Sequence, residues 1–380
     1  MNSWAKNKLS EVCTSISDGD HLPPPKTDEG IPFVTISDIR NNKFVLSNTH
    51  YVPKAYFDSI DEKRRIRKGD VLYSVVGSYG IPVYADTDLD VAFQRHIAIL
   101  KSGGKVDSRF LYYSLLNPAF YHAADNVAIG AAQKTITLSA LRNLEIRIPP
   151  LPTQRRIADI LSAYDDKIAN NRRRMELLEE TARLLYRKMT SGQLPDGTIA
   201  DICREERNGV RPSDVNPKTP YIGLEHMPRR SISLCDWEDA QKVTSAKLAF
   251  KAGDILFGKI RPYFHKVGMT FVDGVASSDA VVIKPLREEL RPFVLLTVSS
   301  DAFVAAASQG MKEGSKMPRA DWKQLLKYAI WISDDNLLDG FNVQINPILD
   351  ELKTLCLQNH LLAEARDSLL PRLIKGEFGL

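Results

Sequence analysis

Basic, amide and aromatic side chains recur together in short polar stretches of both halves of this sequence. In the first half the candidates are Arg40, Lys43, Tyr79, Gln94, Arg95, His96, Lys134 and Thr135. In the second half they are Arg229, Arg230, Lys259, Arg261, Tyr263, His265, Lys316 and Arg319. Arginine and glutamine can read base edges through paired hydrogen bonds, while lysine and threonine can hold phosphates. These residue types therefore favour a nucleic-acid ligand.

Any one of these residues could equally be an ordinary solvated side chain, since charged residues mostly face water. Their presence in corresponding stretches of both halves favours a binding surface. The formal net charge is only +4, from 51 Lys and Arg against 47 Asp and Glu. Binding to nucleic acid would therefore depend on local basic patches and not on total charge.

The motifs of common catalytic sites are missing from the sequence. It has no phosphate-binding G-x-x-x-x-G-K-[ST] loop, no G-x-S-x-G elbow and no H-E-x-x-H zinc motif. Glu351-Leu352-Lys353 has the spacing of a nuclease metal site, but a solvated helix face is the preferred interpretation. Asn117 precedes Pro118 at a predicted helix end, where we expect it to act as a cap. We predict a non-catalytic chain that binds no metal and no cofactor.

The four cysteines, Cys13, Cys203, Cys235 and Cys356, are far apart and form no C-x-x-C pair. We predict neither a zinc site nor a disulfide framework, which fits a reducing cytoplasm. The N-terminal residues lack the apolar run of a signal peptide, and no stretch of about 20 apolar residues exists to cross a membrane. Hydrophobic residues make up 43% and charged residues 26% of the chain, as in ordinary soluble globular proteins. We expect a cytoplasmic protein.

Two long heptad stripes must position the polar stretches. The first stripe lies within residues 149–192 and consists of Ile157, Leu161, Tyr164, Ile168, Asn171, Met175, Leu178, Ala182, Leu185 and Met189. The second consists of Phe341, Ile345, Ile348, Leu352, Leu355, Asn359, Leu362, Arg366, Leu369 and Leu373. Stripes this narrow predict two long helices that pack against each other.

The two asparagines in the stripes predict how the helices are aligned. A parallel, in-register pair would leave Asn171 and Asn359 opposite apolar residues, which is costly for buried amides. An antiparallel pair places Asn171 opposite Asn359 and Met175 opposite Leu355. A buried layer of two asparagines would then set register and direction. The alternative, in which each helix docks on its own globular domain with its Asn in water, stays open.

Short motifs repeat in the same order along the chain. Residues 68–73 resemble residues 252–257, residues 32–36 resemble 220–224, and residues 9–13 resemble 199–203, at shifts of 184 to 190 positions. The repeat predicts a globular domain over 1–148, a central helix over 149–192, a second globular domain over 193–336 and a C-terminal helix over 337–380. The expected fold class is α+β. Two similar mixed α/β domains would be separated by two long antiparallel coiled-coil helices in a pseudo-twofold, quasi-circular arrangement.

The whole chain resembles the specificity (S) subunits of type I restriction-modification systems. Residues 148–158, IPPLPTQRRIA, are similar to the I-P-x-P-x-x-x-Q-x-x-I segment that begins the spacer helix of that family. The paired Gly-Asp elements at 69–72 and 253–256, and the segment 260–263, are similar to parts of its target recognition domains. The second helix departs from the pattern, because residues 331–335 lack the proline-rich segment and the glutamine.

The resemblance implies that each globular domain is a target recognition domain for one half of a split double-stranded DNA sequence. The helices would space the two halves and dock two DNA methyltransferase (modification) subunits, and restriction (motor-nuclease) subunits would join for cleavage. S-adenosylmethionine, ATP and Mg²⁺ would be bound by those partners. Two alternatives stay open: an enzyme that cuts or methylates DNA by itself, and a coiled-coil adaptor or scaffold that binds proteins only.

Overall fold

A computed structural model of the chain describes residues 4–22, 24–40, 42–46, 49–131, 133–309, 317–332 and 334–378. The chain divides into two compact units. The first unit comprises residues 1–166 and 363–380, and the second comprises residues 167–362. Both boundaries fall inside long helices, so each unit takes one segment of each helix.

The first unit is built from short strands and helices before the first long helix. Its strands are β1 (Ala5–Lys8), β2 (Cys13–Asp18), β3 (Ile31–Val34), β4 (Ile39–Arg40), β5 (Lys43–Phe44), β6 (His50–Val52), β7 (Val71–Ser74), β8 (Pro82–Tyr84), β9 (Ala92–Phe93), β10 (Ile97–Ser102) and β11 (Glu145–Ile148). Its helices are α1 (Leu9–Val12), α2 (Lys54–Ser59), α3 (Ser108–Leu116), α4 (Pro118–Val127), α5 (Leu138–Asn143) and the start of α6 (Leu151–Thr190).

The second unit has the same kinds of element. Its strands are β12 (Gly197–Thr198), β13 (Cys203–Glu206), β14 (Gly209–Val210), β15 (Pro220–Ile222), β16 (Ser233–Leu234), β17 (Glu238–Asp239), β18 (Lys247–Phe250), β19 (Ile255–Gly258), β20 (Val267–Thr270), β21 (Gly274–Ala276), β22 (Ala280–Pro285) and β23 (Ala329–Ile330). Its helices are α7 (Arg291–Val298), α8 (Asp301–Gln309), α9 (Trp322–Leu325) and most of α10 (Asp335–Lys375).

The strand pairings of the first unit recur in the second. The first unit has the sheet order β2-β10-β7-β8, and the second has β13-β22-β19-β20-β16. Strand β3 pairs parallel with β9, as β15 does with β21. Strands at the ends of each globular part also pair, β1 with β11 and β12 with β23. The predicted fold class, with two sheet-rich domains of like topology and two long helices, is confirmed.

The central strands are buried on both faces, which explains their continuous apolar sequences. Val71 and Tyr73 of β7 pack into one core and Leu72 into another, because successive side chains of a strand point to opposite faces. Strand β19 repeats this arrangement, with Ile255 on one face and Leu256 on the other. Each sheet therefore lies between two apolar layers, and its edges and loops are left to carry polar groups.

The long helices run antiparallel in each unit, and the predicted asparagine layer is confirmed. In the second unit Asn171 is fully buried, and its Nδ2 donates to Asn359 Oδ1 at 2.9 Å. Nδ2 also donates to Gln358 Oε1 at 2.8 Å, a contact that the heptad pattern did not predict. In the first unit Arg366 pairs with Asp165 at 2.5 Å. The α10 helix starts at Asp335, before the apolar stripe does.

The prediction about the cysteines is wrong for one pair. Cys235 and Cys356 form a disulfide in the second unit, with their Cα atoms 5.4 Å apart. The sequence did not predict this pairing, because the two cysteines are 121 positions apart and meet only when the segment before β17 packs against α10. In the same place Trp237 stacks on His360, with ring centres 4.5 Å apart. Cys13 and Cys203 are free, and burial raises the pKa of each thiol to about 12.

Among the residues that the structure describes, no single helix is both long and apolar enough to cross a membrane. Residues 288–298 and 301–309 satisfy that criterion only as a pair bent by 63°. Most of the apolar side chains of this pair are buried in the core of the second unit.

Candidate nucleic-acid interface

Three segments of the first unit meet at the end of its central sheet. They are the loop between β7 and β8, the turn between β9 and β10, and the segment before α5. Val75 N donates to His96 O at 2.8 Å, and Ile136 N donates to Val75 O at 2.8 Å. Gly77 N donates to Lys134 O at 3.2 Å. These bonds join the backbones of the segments that carry most of the predicted residues of the first half, from Tyr79 to Thr135.

The second unit repeats this frame bond for bond. Lys259 N donates to Asp279 O at 2.8 Å, Ala320 N to Lys259 O at 2.9 Å, and Arg261 N to Pro318 O at 2.8 Å. Each residue lies 183 or 184 positions after its counterpart, as 259 does after 75 and 279 after 96. The two units thus share one backbone frame and display different side chains on it.

One position in this frame has an unusual backbone conformation. Gly77 in the first unit has a φ of 73°, in the left-handed region that glycine adopts freely. Its counterpart Arg261 has a φ of 49°, and nearby His265 and Arg230 have φ values of 54° and 61°. Left-handed conformations are costly for residues with a Cβ, and such strain clusters at functional sites. The second repeat therefore has an arginine in a strained conformation where the first repeat has a glycine.

The side chains around Arg261 form a cationic and aromatic surface. The guanidinium of Arg229 lies 4.2 Å from the centre of the Phe264 ring, and that of Arg261 lies 6.0 Å from the same ring. Tyr263 is half exposed and meets Phe264 edge-on at 4.9 Å. Phe264 thus packs against two predicted contact residues, Arg229 and Arg261, although the sequence did not predict a role for Phe264 itself.

His265 does not lie on this surface, which corrects its selection as a contact residue. Its side chain is buried, and Nε2 lies 2.8 Å from the carbonyl oxygen of Ser299. Burial lowers the pKa of His265, and the nearby Arg230 and Arg183 lower it further. The imidazole therefore holds the loop against the segment that follows α7 and does not face solvent.

The other selected residues of the second unit differ in their surroundings. Arg230 is exposed and donates to Asp301 at 2.7 Å. Arg319 is exposed and donates to Asp279 at 3.1 Å, beside the turn that bonds to Lys259. Lys259 is half-buried. Lys316 lies outside the described residues.

Tyr79 and Lys134 belong to one small cluster in the first unit. Tyr79 stacks on Tyr121 with ring centres 6.0 Å apart and donates a hydrogen bond to Asp125. Lys134 Nζ donates to the same carboxylate at 2.6 Å. Hydrogen bonds from Lys134 and then Tyr79 lower the pKa of Asp125. The carboxylate partly neutralises Lys134, while the stacked tyrosines offer an aromatic face next to it.

The segment from Gln94 to His96 borders a cavity of about 400 Å³ with Phe33 and Val52 in its wall. Arg95 is exposed, whereas His96 is half-buried, and burial followed by the charge of Arg95 lowers the pKa of His96. Thr135 pairs with Ile129 through two backbone hydrogen bonds, so its backbone forms part of the frame.

Arg40 and Lys43 lie outside the three converging segments, in the neighbouring β4–β5 hairpin. Their backbones pair across this hairpin, which Asn42 Nδ2 joins to Pro82 O at 2.8 Å. The hairpin therefore adjoins the start of β8, and Lys43 is exposed there.

One group of described residues has the spacing of a metal site. The ligand atoms of Glu225, His226 and Glu238 lie within 4.8 Å of one another. His226 Nδ1 already accepts a hydrogen bond from Gly223 N at 2.9 Å, and both carboxylates are exposed. Exposed acidic groups of this kind are common without an ion, so we do not assign a metal to it.

Two short motifs of the sequence have structural roles. Asn117 caps α4, accepting a hydrogen bond from Ala119 N at 3.1 Å. Glu351 forms an ion pair with Arg174 on the neighbouring helix.

Comparisons with known proteins agree with this architecture. The family described as "Type I restriction modification DNA specificity domain" matches residues 1–180. The specificity subunit of the type I restriction enzyme MjaIX from Methanocaldococcus jannaschii is 23% identical, with 98% of this chain and 93% of that protein covered. The HindI specificity subunit from Haemophilus influenzae is 28% identical over 49% of this chain, and the match spans only 40% of that relative.

A solved structure has the same fold. The S subunit of the type I restriction-modification system from M. genitalium superposes with a TM-score of 0.58 at 16% identity, covering 98% of this chain and 96% of that one. The chain therefore has the fold of a solved S subunit, and its residues 1–180 are similar to the type I restriction modification DNA specificity domain.

Proposed function

We propose that each unit reads one half of a bipartite double-stranded DNA target. The observation that carries this proposal is the shared hydrogen-bonded frame, on which the first unit displays Tyr79 and Lys134 and the second displays Arg261 and Arg319. A frame used twice with different side chains suits two recognition surfaces with different sequence preferences. Arg261 would read a guanine edge, while the lysines would hold phosphates.

The long helices would set the gap between the half-sites and dock two methyltransferase subunits. Exposed leucines support the docking role, since Leu177 and Leu184 lie seven residues apart on one face of α6 and are 47% and 52% exposed. Exposed apolar side chains that follow one helix face are typical of protein contacts. Restriction subunits would join the same complex in the cytoplasm, and S-adenosylmethionine, ATP and Mg²⁺ would be bound by those partners.

Mapping methylated adenines in DNA from cells that carry the intact system tests the proposal. We expect two short sequences separated by a gap of fixed length and unspecified bases. Methylation at a single continuous sequence would contradict the division of reading between two units.

A second assay tests the non-catalytic role. The purified full chain is incubated with duplex DNA and S-adenosylmethionine, with and without methyltransferase subunits. We expect methyl transfer only when those subunits are present. Turnover by the chain alone would identify it as an enzyme, and a mixture with no preference among DNA sequences would favour the protein-only scaffold.

A further inference from the structure

Two side chains of α6 reach into the loops of the second unit. Glu179 is buried, and its carboxylate accepts hydrogen bonds from Ser231 Oγ at 2.7 Å and Ile232 N at 3.1 Å. Arg183, one turn further along the same face, donates to Ser299 O at 3.2 Å and Arg230 O at 2.7 Å. A single helix face thus holds the segment before β16 and the end of α7.

These contacts continue to the loop that carries Arg261. Arg230 N donates to His265 O at 2.9 Å, and His265 Nε2 lies 2.8 Å from the Ser299 carbonyl that Arg183 also binds. His265 directly follows the short helical turn 262–264, which begins after Arg261. A continuous path of hydrogen bonds therefore joins Arg183 to the loop of Arg261.

Three residues on or next to this path have strained backbones. Arg230, Arg261 and His265 all have left-handed backbones. Such conformations persist only where surrounding contacts hold them in place. The guanidinium of Arg183 binds two carbonyls from different segments, and a lysine ammonium has no planar fork to match that geometry. Loss of Arg183 would remove the side-chain donor to the Arg230 carbonyl and leave the Ser299 carbonyl bonded to His265 alone, which would free the loop to relax.

We infer that Glu179 and Arg183 are positioning residues, which hold residues 229–231 and 261–265 in the conformation that reads the half-site of the second unit. This inference rests on the proposed function. At the repeat shift of 184, α10 has Ala363 and Asp367 in their places. Neither Ala363 nor the Asp367 carboxylate, which pairs with Arg366 at 2.8 Å, can donate to a carbonyl as Arg183 does. The effect of the α6 side chains is therefore confined to one half-site.

The test is a selection from a pool of duplexes of random sequence. The full chain, assembled with its methyltransferase subunits, is used to retain duplexes, which are then sequenced. The variants are Arg183→Ala, Arg183→Lys and Glu179→Ala, with Arg187→Ala and Glu180→Ala as exposed controls on the same helix. We expect Arg183→Ala to reduce base preference about tenfold at one half-site only, and Arg183→Lys to have an intermediate effect. The controls should match the wild type.

A double variant separates positioning from general stabilisation. If Arg183 acts through the loop, adding Arg183→Ala to Arg261→Ala should cause little further loss of preference. Thermal melting of every variant reports folding, and Arg183→Lys serves as the readout if Arg183→Ala does not fold. A wild-type complex without any sequence preference would refute the proposed function. A selective wild type whose Arg183 variants keep both half-sites, or lose both equally, would refute the positioning role.

Discussion

Arg261 has a backbone conformation that its counterpart Gly77 adopts at no cost. A left-handed residue with a Cβ carries a penalty of about 1–2 kcal/mol. The chain therefore gives up stability to place a guanidinium at this point, over the Phe264 ring that Arg229 also contacts. That exchange is understandable if the guanidinium contacts a ligand.

Substitution at Arg261 should separate the side chain from the backbone. Arg261→Ala keeps the left-handed penalty and should relax the preference at one half-site by about 1–3 kcal/mol. Arg261→Gly should relax it equally and also raise the free energy of unfolding by about 1 kcal/mol. Selection from a duplex pool measures the first effect, and urea unfolding measures the second. An unchanged target in both variants would remove Arg261 from the reading surface.

His265 should make the stability of the second unit depend on pH. Its folded-state pKa is lowered below the ordinary 6.5, because burial and then Arg230 and Arg183 disfavour the charged ring. The unfolded chain therefore binds the proton more readily, and stability should fall as pH drops below about 6.5. Urea unfolding at pH 7.5 and 5.5 should show this loss in the wild type and in exposed His50→Gln, but less in His265→Gln. Equal pH dependence in all three would contradict it.

Residue types alone predicted which side chains belong to the proposed reading surface, but not the surroundings of each one. Arginine, tyrosine and lysine in matching loops are the reason that Arg261, Tyr79 and Lys134 were predicted. The sequence could not show that His265 is buried, because its burial depends on Ser299, more than thirty residues further along. The sequence could not show the contacts of Arg183 either, because they come from two distant segments.

The long helices illustrate what spacing predicts and what it misses. Heptad spacing fixes which residues face each other, so the Asn171–Asn359 layer followed from sequence. Spacing says nothing of Gln358, which lies beside the stripe, or of the disulfide between Cys235 and Cys356. Both depend on how side chains reach across a surface.

The departure at the start of the second helix also has a structural consequence. Gln154 of α6 is buried, accepts from Asp107 N at 2.8 Å and donates to Lys105 O at 3.3 Å and Pro149 O at 2.8 Å. In α10, Asn342 donates to the carbonyl oxygen of Glu289, which is the counterpart of Lys105 at the repeat shift of 184. The Oδ1 atom of Asn342 is buried without a partner among the described residues. The shorter amide therefore makes only part of the same junction.

This difference predicts unequal costs for one substitution. Gln154→Leu leaves three buried or partly buried backbone groups without this partner and should cost about 2–4 kcal/mol of the free energy of unfolding. Asn342→Leu removes one bond together with an unpaired acceptor, and should cost about 1 kcal/mol or less. Urea unfolding of both variants tests this. Similar losses in the two variants would show that the junctions are equivalent.

At the scale of the whole molecule, the repeat is the feature that sequence predicted best. Each motif match was weak alone, but their common order predicted two domains of one topology. The strand pairings of the two units match in the same way. The sequence divided the chain into four segments, two globular domains and two helices. The compact units divide differently, because each takes a segment from both helices.

The unit boundaries suggest a test of the helices as spacers. Seven residues inserted after Asp166 and seven after Leu362 lengthen both helices by one heptad at the boundaries and leave each unit intact. Seven helical residues add about 10 Å, the length of about three base pairs. Methylation mapping should then show the same half-sites with a longer gap. An unchanged gap would mean that the helices do not set it.

The most direct test of the account compares one substitution in each unit within a single duplex-pool selection. The wild-type complex should retain two half-sites at a fixed separation, Tyr79→Ala should relax one of them, and Arg261→Ala should relax the other. Retention of a single continuous sequence, or relaxation of the same bases by both substitutions, would contradict the claim that the two units read separate halves of one target.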